Sequence, residues 1–188
     1  MTGFVVLGTD TDAGKTSFSL LFLTAFADQF AYWKPVETGD SDSVRIRKLV
    51  PHAHVFEPLA RFTAPVAPPL AARLEGRQMP TIEDVLAARP VSELPLVIET
   101  FGGAFSPFTD EALQIELIRD LRLPVVLVGT STLGAIGRML AAVAALGEYN
   151  LRATAIALIG PRDVYAEEQI RKHTVNTPVF SFTLPNRS

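Results

Sequence analysis

A short glycine-containing segment near the start of the chain combines residue types that bind phosphate groups. Gly8 and Gly14 bracket this segment, and Lys15 and Thr16 follow directly. Glycine lets the backbone approach phosphate oxygens, lysine brings a compact positive charge, and a threonine hydroxyl can bind Mg²⁺. The segment therefore predicts a phosphate-binding loop for a nucleoside triphosphate, although its two glycines stand one residue further apart than in the usual loop.

An ordinary strand-to-helix turn would use some of the same residues, with Gly14 breaking the chain and Thr16 capping the helix. The flanking segments favour the phosphate loop. Gly3–Gly8 is a short apolar run typical of a buried strand, and residues 16–30 are apolar nearly all round, which is typical of a buried helix. Since a phosphate loop must lie between a strand and a helix, this context favours nucleotide binding.

The placement of the lysines supports the same interpretation. The chain has thirteen arginines but only four lysines. Lys15 and Lys34 lie at the C-terminal ends of the first two predicted strands, at the sheet edge where parallel α/β proteins bind ligands. Lys48 and Lys172 lie beside arginines on predicted helices, so we expect both to be solvated.

Strands and helices alternate along the chain. The pattern predicts strands at residues 3–8, 31–35, 94–100, 124–129, 153–159 and 178–184, and helices at 16–30, 110–121, 133–146 and 164–173. Such alternation indicates βαβ units with a mostly parallel central sheet between two helical layers, here in one domain spanning residues 1–188. Residues 51–90 interrupt the pattern with seven prolines, which predict short helices joined by stiff turns.

Composition and charge exclude several classes of protein. Hydrophobic residues make up 48% of the chain, too many for a disordered protein, and the net charge of −3 does not suit a nucleic-acid binder. No apolar run reaches the length of a membrane span, and no signal peptide is recognisable. The absence of cysteine excludes disulfides and thiolate metal sites and is consistent with a cytoplasmic protein.

Several motifs together resemble the dethiobiotin synthetase family. Residues 8–16 read Gly-Thr-Asp-Thr-x-x-Gly-Lys-Thr, which matches that family's longer phosphate loop, and Lys34-Pro35-Val36 followed by Thr38-Gly39 resembles its second motif. Supporting similarities are Ser41-Asp42, Glu99 with Gly102-Gly103, the proline-rich stretch 64–76, and the strand 123–128 with Leu133-Gly134 after it. The resemblance covers most of the chain in order, and its first two motifs are the specific ones.

The resemblance implies an ATP- and Mg²⁺-dependent enzyme that forms dethiobiotin from 7,8-diaminononanoate and CO₂ or bicarbonate. It implies that Lys15, Lys34 and Thr11 act in catalysis and that Thr38, with Lys34, binds the diamine or its carbamate. The residues implied for the nucleotide are Asp12, Ala13, Gly14, Lys15, Thr16, Ser17, Asp42, Glu99 and Gly102. Those implied for the metal are Thr16, Asp42 and Glu99, and the family also implies a homodimer. The alanine-rich helix 133–146 is a candidate contact element of this dimer, and the alternative is that its alanine face packs on the sheet.

Simpler roles remain open for some of these residues. Asp42 could cap a helix that starts at Ser43, and Asp40 is an alternative metal ligand two residues away. Glu99 ends an apolar strand, where an unpaired carboxylate would be costly to bury, so a metal role is favoured. We expect the three histidines at the surface and Trp33 in the core.

Four positions depart from the family pattern. Phe101 stands where the family has a small residue, Pro69 replaces a histidine of the substrate loop, and Gly137 lies where an asparagine is usual. Ile159 ends the strand that in the family carries the asparagine recognising adenine. The sequence also ends soon after residue 184, where the family continues with a loop and helix around the base. Together these features predict a site that recognises phosphates and tolerates different bases.

Two other functions compete with the synthetase. One is a nucleotide-dependent switch or partitioning protein of the related phosphate-loop group, although Asp10 and Thr11 stand where such proteins usually have an early lysine. The other is a degenerate homologue that binds nucleotide without turning it over. The four departures keep this second alternative open.

Overall fold

The computed structural model describes residues 2–174 and 176–183 and contains a seven-stranded sheet with the order β4-β2-β6-β1-β7-β8-β9. All the strand pairs in this sheet are parallel. Its strands are β1 (Gly3–Gly8), β2 (Ala31–Trp33), β4 (His54–Val55), β6 (Leu96–Glu99), β7 (Val125–Thr130), β8 (Ala153–Ile159) and β9 (Val179–Phe182). A separate parallel pair joins β3 (Val36–Thr38) to β5 (Ala60–Phe62).

In the part of the chain that the structure describes, seven helices pack around the sheet in two layers. They are α1 (Lys15–Phe26), α2 (Asp42–Leu49), α3 (Pro68–Leu74), α4 (Ile82–Ala87), α5 (Gln114–Leu121), α6 (Ala135–Glu148) and α7 (Val164–His173). The two apolar clusters of the protein lie on opposite faces of the sheet, because successive strand residues point to opposite sides. Val6 packs with residues of α1 and α2, whereas Val5 and Leu7 pack with residues of α3 to α7. The predicted three-layer α/β fold is confirmed.

The central strands end on one side of the molecule. β1 lies between β6 and β7, and β6 lies between β1 and β2. Since these strands are parallel, the segments that follow Gly8, Trp33 and Glu99 meet at the same edge of the sheet. This arrangement brings together three segments that are far apart in the sequence.

The structure differs from the sequence-based prediction mainly in the irregular regions. Helix α5 begins at Gln114 rather than at residue 110, because the Thr109 hydroxyl accepts hydrogen bonds from Glu111 N and Ala112 N and holds these residues in a turn. The proline-rich section contains the expected short helices but also β4 and β5, which are too short to show a periodic pattern. Leu184, the predicted end of the last strand, lies outside the described residues.

In the described part of the chain, no helix combines the length and the apolar character that a membrane span would need.

Candidate active site

The phosphate loop follows β1 and leads directly into α1. Gly14 has a φ of +89°, a conformation that glycine adopts without strain, and a Cβ added there would lie 3.0 Å from Ile159 Cβ. A Cβ on Gly8 would lie 2.7 Å from Lys15 Nζ and from Asp10 O. A side chain at either position would come too close to neighbouring atoms, so the loop needs glycine both at its strand end (Gly8) and at its helix end (Gly14).

The Lys15 ammonium group lies folded over the loop. Its Nζ donates to Asp10 O at 3.0 Å and to Gly102 O at 3.1 Å, and the residue is buried. Burial, together with the positive charge of Lys34, lowers the pKa of Lys15 to about 8. Its direct partners are neutral carbonyl groups, so the charge of this cation is available to an anionic ligand.

Lys34 lies just beyond β2 and is held by two carboxylates. Its Nζ donates to Asp42 Oδ2 and, at 3.1 Å, to Glu99 Oε1. Burial by itself would lower the pKa of Lys34, but the negative charges of Glu99 and Asp42 outweigh it and raise the pKa above its usual value. Lys34 is therefore a permanent cation at this site.

Three oxygen-bearing side chains meet beside these lysines. Thr16 Oγ1 lies 2.8 Å from Asp42 Oδ1 and 2.8 Å from Glu99 Oε1, yet its one proton can serve only one carboxylate at a time. Two carboxylates and a hydroxyl suit Mg²⁺, which binds protein through one or two carboxylates and completes its shell with phosphate oxygens and water. The described residues contain no group of three or more His, Cys, Asp or Glu side chains that would bind a metal without such help.

Asp42 belongs to this cluster, and Asp40 does not. Asp42 is the first residue of α2, but the residue that caps the helix is Ser41, whose Oγ accepts from Val44 N at 3.2 Å. The alternative role of Asp42 as a helix cap is therefore wrong. Asp40 is exposed, so the geometry favours Asp42 of the two candidate metal ligands.

A buried carboxylate that the sequence analysis missed holds the start of α2. Glu37 accepts from Ser41 Oγ at 2.6 Å and from Ser43 N at 2.8 Å. These bonds fix the turn that carries Asp42 into the site. Sequence spacing offers no signal for this contact, because Glu37 lies outside the helix whose first turn it binds.

The turn after β6 is fixed by Gln114, the first residue of α5. Its Oε1 accepts from Phe101 N at 3.1 Å, and its Nε2 donates to Phe101 O and, at 2.9 Å, to Gly103 O. Gly103 N also donates to Ser106 Oγ at 2.9 Å. The turn presents Gly102 O to Lys15, so Gln114 positions a partner of the loop lysine.

Two side chains near Glu99, those of Ser19 and Tyr32, were not predicted to belong to the site. Ser19 Oγ donates to Glu99 Oε2 at 2.6 Å, and its position three residues after Thr16, on the same face of α1, could have indicated this. The Tyr32 hydroxyl is buried, and among the described residues it has no hydrogen-bond partner. Burial and the charge of Glu99 raise the pKa of Tyr32 well above its usual value, so it remains a neutral phenol.

Two cavities adjoin at this edge of the sheet. The first cavity has a volume of about 350 Å³, and its lining includes every predicted site residue except Glu99. The lining residues are 11–17, Lys34, Thr38, Asp42, Arg45, Phe101 and Gly102. The second, of about 520 Å³, is lined mainly by apolar residues of the segment 65–68 and by Phe101 and Pro107. Thr11 and Thr38 line both cavities and so mark their boundary.

The positions that depart from the family pattern lie at different distances from these cavities. Phe101 lines both, and its ring stacks on the buried Phe108 with centroids 5.8 Å apart, which leaves the cavities open. Pro69 lies in the first turn of α3, outside the lining of both cavities. Gly137 is exposed on α6, and a Cβ built there would have no described atom within 4 Å apart from its chain neighbours and the backbone of its own helix.

Residues that the sequence analysis placed outside the site, in the core or at the surface, are found there. Trp33 is buried in the core, and Lys48 and Lys172 are exposed. The three histidines are also exposed and take no part in the site.

Known proteins share this fold over nearly its whole length. A solved ParA family ATPase from Chlorobium tepidum TLS matches with a TM-score of 0.60 and covers 98% of this chain and 84% of its own. Its sequence identity is 12%, so the likeness shows the fold alone. This fold provides the strand, loop and helix that a phosphate loop requires.

Sequence relatives show a closer relationship. A family model described as an AAA domain matches residues 2–187. The ATP-dependent dethiobiotin synthetase BioD of Afipia carboxidovorans is 36% identical over 174 residues, which cover 89% of this chain and 80% of that protein. The protein of the same name from Bradyrhizobium sp. is 36% identical over 175 residues, covering 88% and 80%. With its two specific motifs at the ends of β1 and β2, the chain belongs to the dethiobiotin synthetase family of enzymes.

Proposed function

We propose that this protein is an ATP- and Mg²⁺-dependent dethiobiotin synthase of biotin biosynthesis, which closes the ureido ring from 7,8-diaminononanoate and CO₂. The observation that carries the proposal is that Lys15, Lys34, Thr16 and Asp42 line one cavity, while the buried Glu99 contacts both Thr16 and Lys34. Such a set of cations and metal ligands suits phosphoryl transfer, whose catalysis depends on positioning and charge neutralisation. The names of the sequence relatives supply the substrate.

The reaction has three steps. One amine attacks CO₂ and loses a proton, giving a carbamate. A carbamate oxygen takes the terminal phosphoryl group from the nucleotide, which leaves as the diphosphate. The second amine then attacks the carbamoyl carbon, loses a proton and expels inorganic phosphate, which closes the ring.

The two lysines supply the positive charge that these steps need. Lys15 stabilises the phosphoryl group during transfer. Burial and the charge of Lys34 lower the pKa of Lys15 to about 8, and its direct partners are the neutral carbonyl groups of Asp10 and Gly102. Lys34 lies between the carbamate and the phosphoryl oxygens. The hydrogen bonds from Lys34 Nζ to Asp42 and Glu99 keep the lysine charged and in place.

The second cavity suits the diamine. Its apolar walls at Val66, Pro68 and Phe101 fit an alkyl chain, and a volume of about 520 Å³ lies within the range of small-molecule sites. Thr11 and Thr38, at the boundary between the cavities, hydrogen-bond the amines or the carbamate. The reacting end of the substrate then lies beside Lys34.

Thr16, Asp42 and Glu99 hold Mg²⁺ in this proposal. Bound there, the ion neutralises the charge that develops on the phosphate oxygens. The neighbouring loop residues 12–17 bind the phosphates through backbone N–H groups at the start of α1. Recognition of the base is relaxed, because Ile159 offers only a hydrocarbon side chain where the family has an amide.

We further propose a homodimer, as the family implies. A groove runs beside α6 and is lined by Phe105, Arg138, Ala141, Ala142 and Ala145. Phe105 is half exposed and Leu133, just before α6, is fully exposed. Light scattering after size exclusion chromatography measures the mass in solution, and a monomer at all concentrations would contradict this proposal.

A single assay tests the activity. Purified protein is incubated with diaminononanoate, bicarbonate, Mg²⁺ and ATP, and dethiobiotin is quantified by mass spectrometry alongside phosphate. We expect dethiobiotin and phosphate in equal amounts. Phosphate release that ignores the diamine would overturn the proposal in favour of a nucleotide switch, and binding without turnover would favour a degenerate homologue.

A further inference from the structure

A third cationic side chain, besides Lys15 and Lys34, lines the phosphate cavity. Arg45 lies on α2 three residues after Asp42, and residues at this spacing are neighbours on one side of a helix. Asp42 contacts Thr16 and Lys34, so this side of α2 is turned toward the site. Arg45 lines the same 350 Å³ cavity as Lys15, Lys34 and Thr38.

Arg45 differs from the two lysines in how its charge is engaged. Lys34 is bound to two carboxylates, and Lys15 donates to two carbonyl oxygens. Within residues 2–174 and 176–183, the Arg45 guanidinium has no carboxylate within 4 Å and donates no hydrogen bond, and the residue is exposed. Its donors are therefore available to a ligand in the cavity.

The charge of the expected ligand exceeds what the lysines offer. A nucleoside triphosphate is strongly anionic at neutral pH, whereas the positive charge of Lys34 is already offset by Asp42 and Glu99. A guanidinium group presents a planar fork of N–H donors that matches two phosphate oxygens at once. An unpaired arginine at the rim of the cavity supplies this interaction without breaking an existing ion pair.

We propose that Arg45 binds the terminal phosphate of the nucleotide and so selects the triphosphate over the diphosphate. The inference rests on the nucleotide part of the proposed function and adds a binding residue to it. Asp42 and Arg45 then present a metal ligand and a phosphate ligand from consecutive turns of α2. The first turn of this helix is anchored by Glu37.

Binding of ATP and of ADP, with Mg²⁺ held constant, tests the proposal by isothermal titration calorimetry. We expect Arg45→Ala to weaken ATP binding by at least ~10-fold, the scale for hydrogen bonds between charged groups, and to leave ADP binding unchanged. Arg45→Lys should recover part of the affinity for ATP, because it restores charge without the fork. Since Arg45 is exposed, its replacement should leave the melting temperature unchanged.

Arg47→Ala is the matched control. Arg47 is on the same helix but pairs with Glu57 and donates to Val55 O, away from the cavity. Equal loss of ATP and ADP affinity in Arg45→Ala, or a loss confined to ATP in Arg47→Ala, would overturn the proposal. The two proposals can fail separately. If the wild type binds ATP but forms no dethiobiotin, the proposed ring closure is refuted, whereas the comparison of ATP with ADP binding still decides the role of Arg45.

Discussion

Lys15 and Lys34 are both buried, but their immediate partners change their proton affinities in opposite directions. Lys15 contacts carbonyl groups, so burial dominates and lowers its pKa to about 8. Lys34 contacts two carboxylates, which overcome the effect of burial and raise its pKa. Of the two lysines, Lys15 contacts only neutral groups directly and Lys34 is held by two carboxylates, which suits the proposed roles of phosphate binding and reactant positioning.

Replacing Lys34 should abolish most of the synthase activity. We expect Lys34→Ala to lower kcat by at least ~100-fold, the scale for loss of one charged group that stabilises a transition state. Steady-state kinetics of dethiobiotin formation measures the effect, and Lys48→Ala, at an exposed position on α2, should retain the wild-type rate.

The same substitution leaves Glu99 and Asp42 without their cation. Breaking a buried ion pair in this way can destabilise a protein by about 3–5 kcal/mol, so thermal unfolding must accompany the kinetics. Lys34→Arg keeps the charge and should remain stable, yet turn over slowly because its fork is shaped differently. A folded Lys34→Ala variant with unchanged kcat would remove Lys34 from the mechanism.

At the scale of elements, the site depends on a contact between a strand end and the start of a distant helix. The turn after β6 contains Gly102, whose carbonyl accepts from Lys15, and Gln114 of α5 binds the backbone on both sides of that glycine. Gln114 is completely buried. Its side chain therefore bonds three backbone groups of this turn, namely Phe101 N, Phe101 O and Gly103 O.

Removing this amide should damage stability and nucleotide binding together. We expect Gln114→Leu to lower the free energy of unfolding by about 1–3 kcal/mol, the cost of leaving a polar backbone group such as Phe101 N without its partner. The KM for ATP should rise as Gly102 O moves away from Lys15. Chemical denaturation and steady-state kinetics measure the two effects, and Gln78→Leu at an exposed position is the control. If Gln114→Leu had the wild-type free energy of unfolding and the wild-type KM for ATP, the turn would hold its shape without Gln114.

At the scale of the whole molecule, the order of the sheet decides which strands border the phosphate loop. β8 lies two strands away from β1, yet its last residue, Ile159, reaches the loop and is within 3.0 Å of the position of a Cβ on Gly14. Ile159 is buried and carries no polar atom in its side chain. Ser131 engages the carbonyls beside it, with its N donating to Ile159 O at 3.0 Å and its Oγ to Pro161 O at 2.6 Å.

This end of β8 should discriminate little between bases. Sites that hydrogen-bond a substrate group reject analogues lacking it by up to ~10⁴–10⁵, so without such a bond we expect kcat/KM for ATP, CTP and GTP to agree within ~10-fold. Dethiobiotin formation with each triphosphate, at matched Mg²⁺, measures this. A preference for ATP greater than ~100-fold would contradict it and point to base recognition by other residues.

Sequence patterns predicted the strands of the sheet that are continuous apolar runs, including the short β2 and β6, and missed β3, β4 and β5. The strands at β1, β7 and β8 were recognisable because each is a continuous apolar run ending near glycine. β3, β4 and β5 have two or three residues each, too few to show a period. The start of α5 was misplaced because the Thr109 hydroxyl competes for backbone N–H groups that a helix would otherwise use.

The sequence by itself determined the phosphate loop, because a loop between a strand and a helix is local and its glycines, lysine and threonine are adjacent. It also determined the two lysines and the carboxylates at the ends of predicted parallel strands, since such strands end at a common edge. Only the tertiary structure decided that Asp42 rather than Asp40 faces Thr16, and that Glu37, Gln114 and Arg45 adjoin the same site. These contacts depend on how helices α2 and α5 pack against the sheet, and side-chain direction across such an interface is set by packing, not by spacing along the chain.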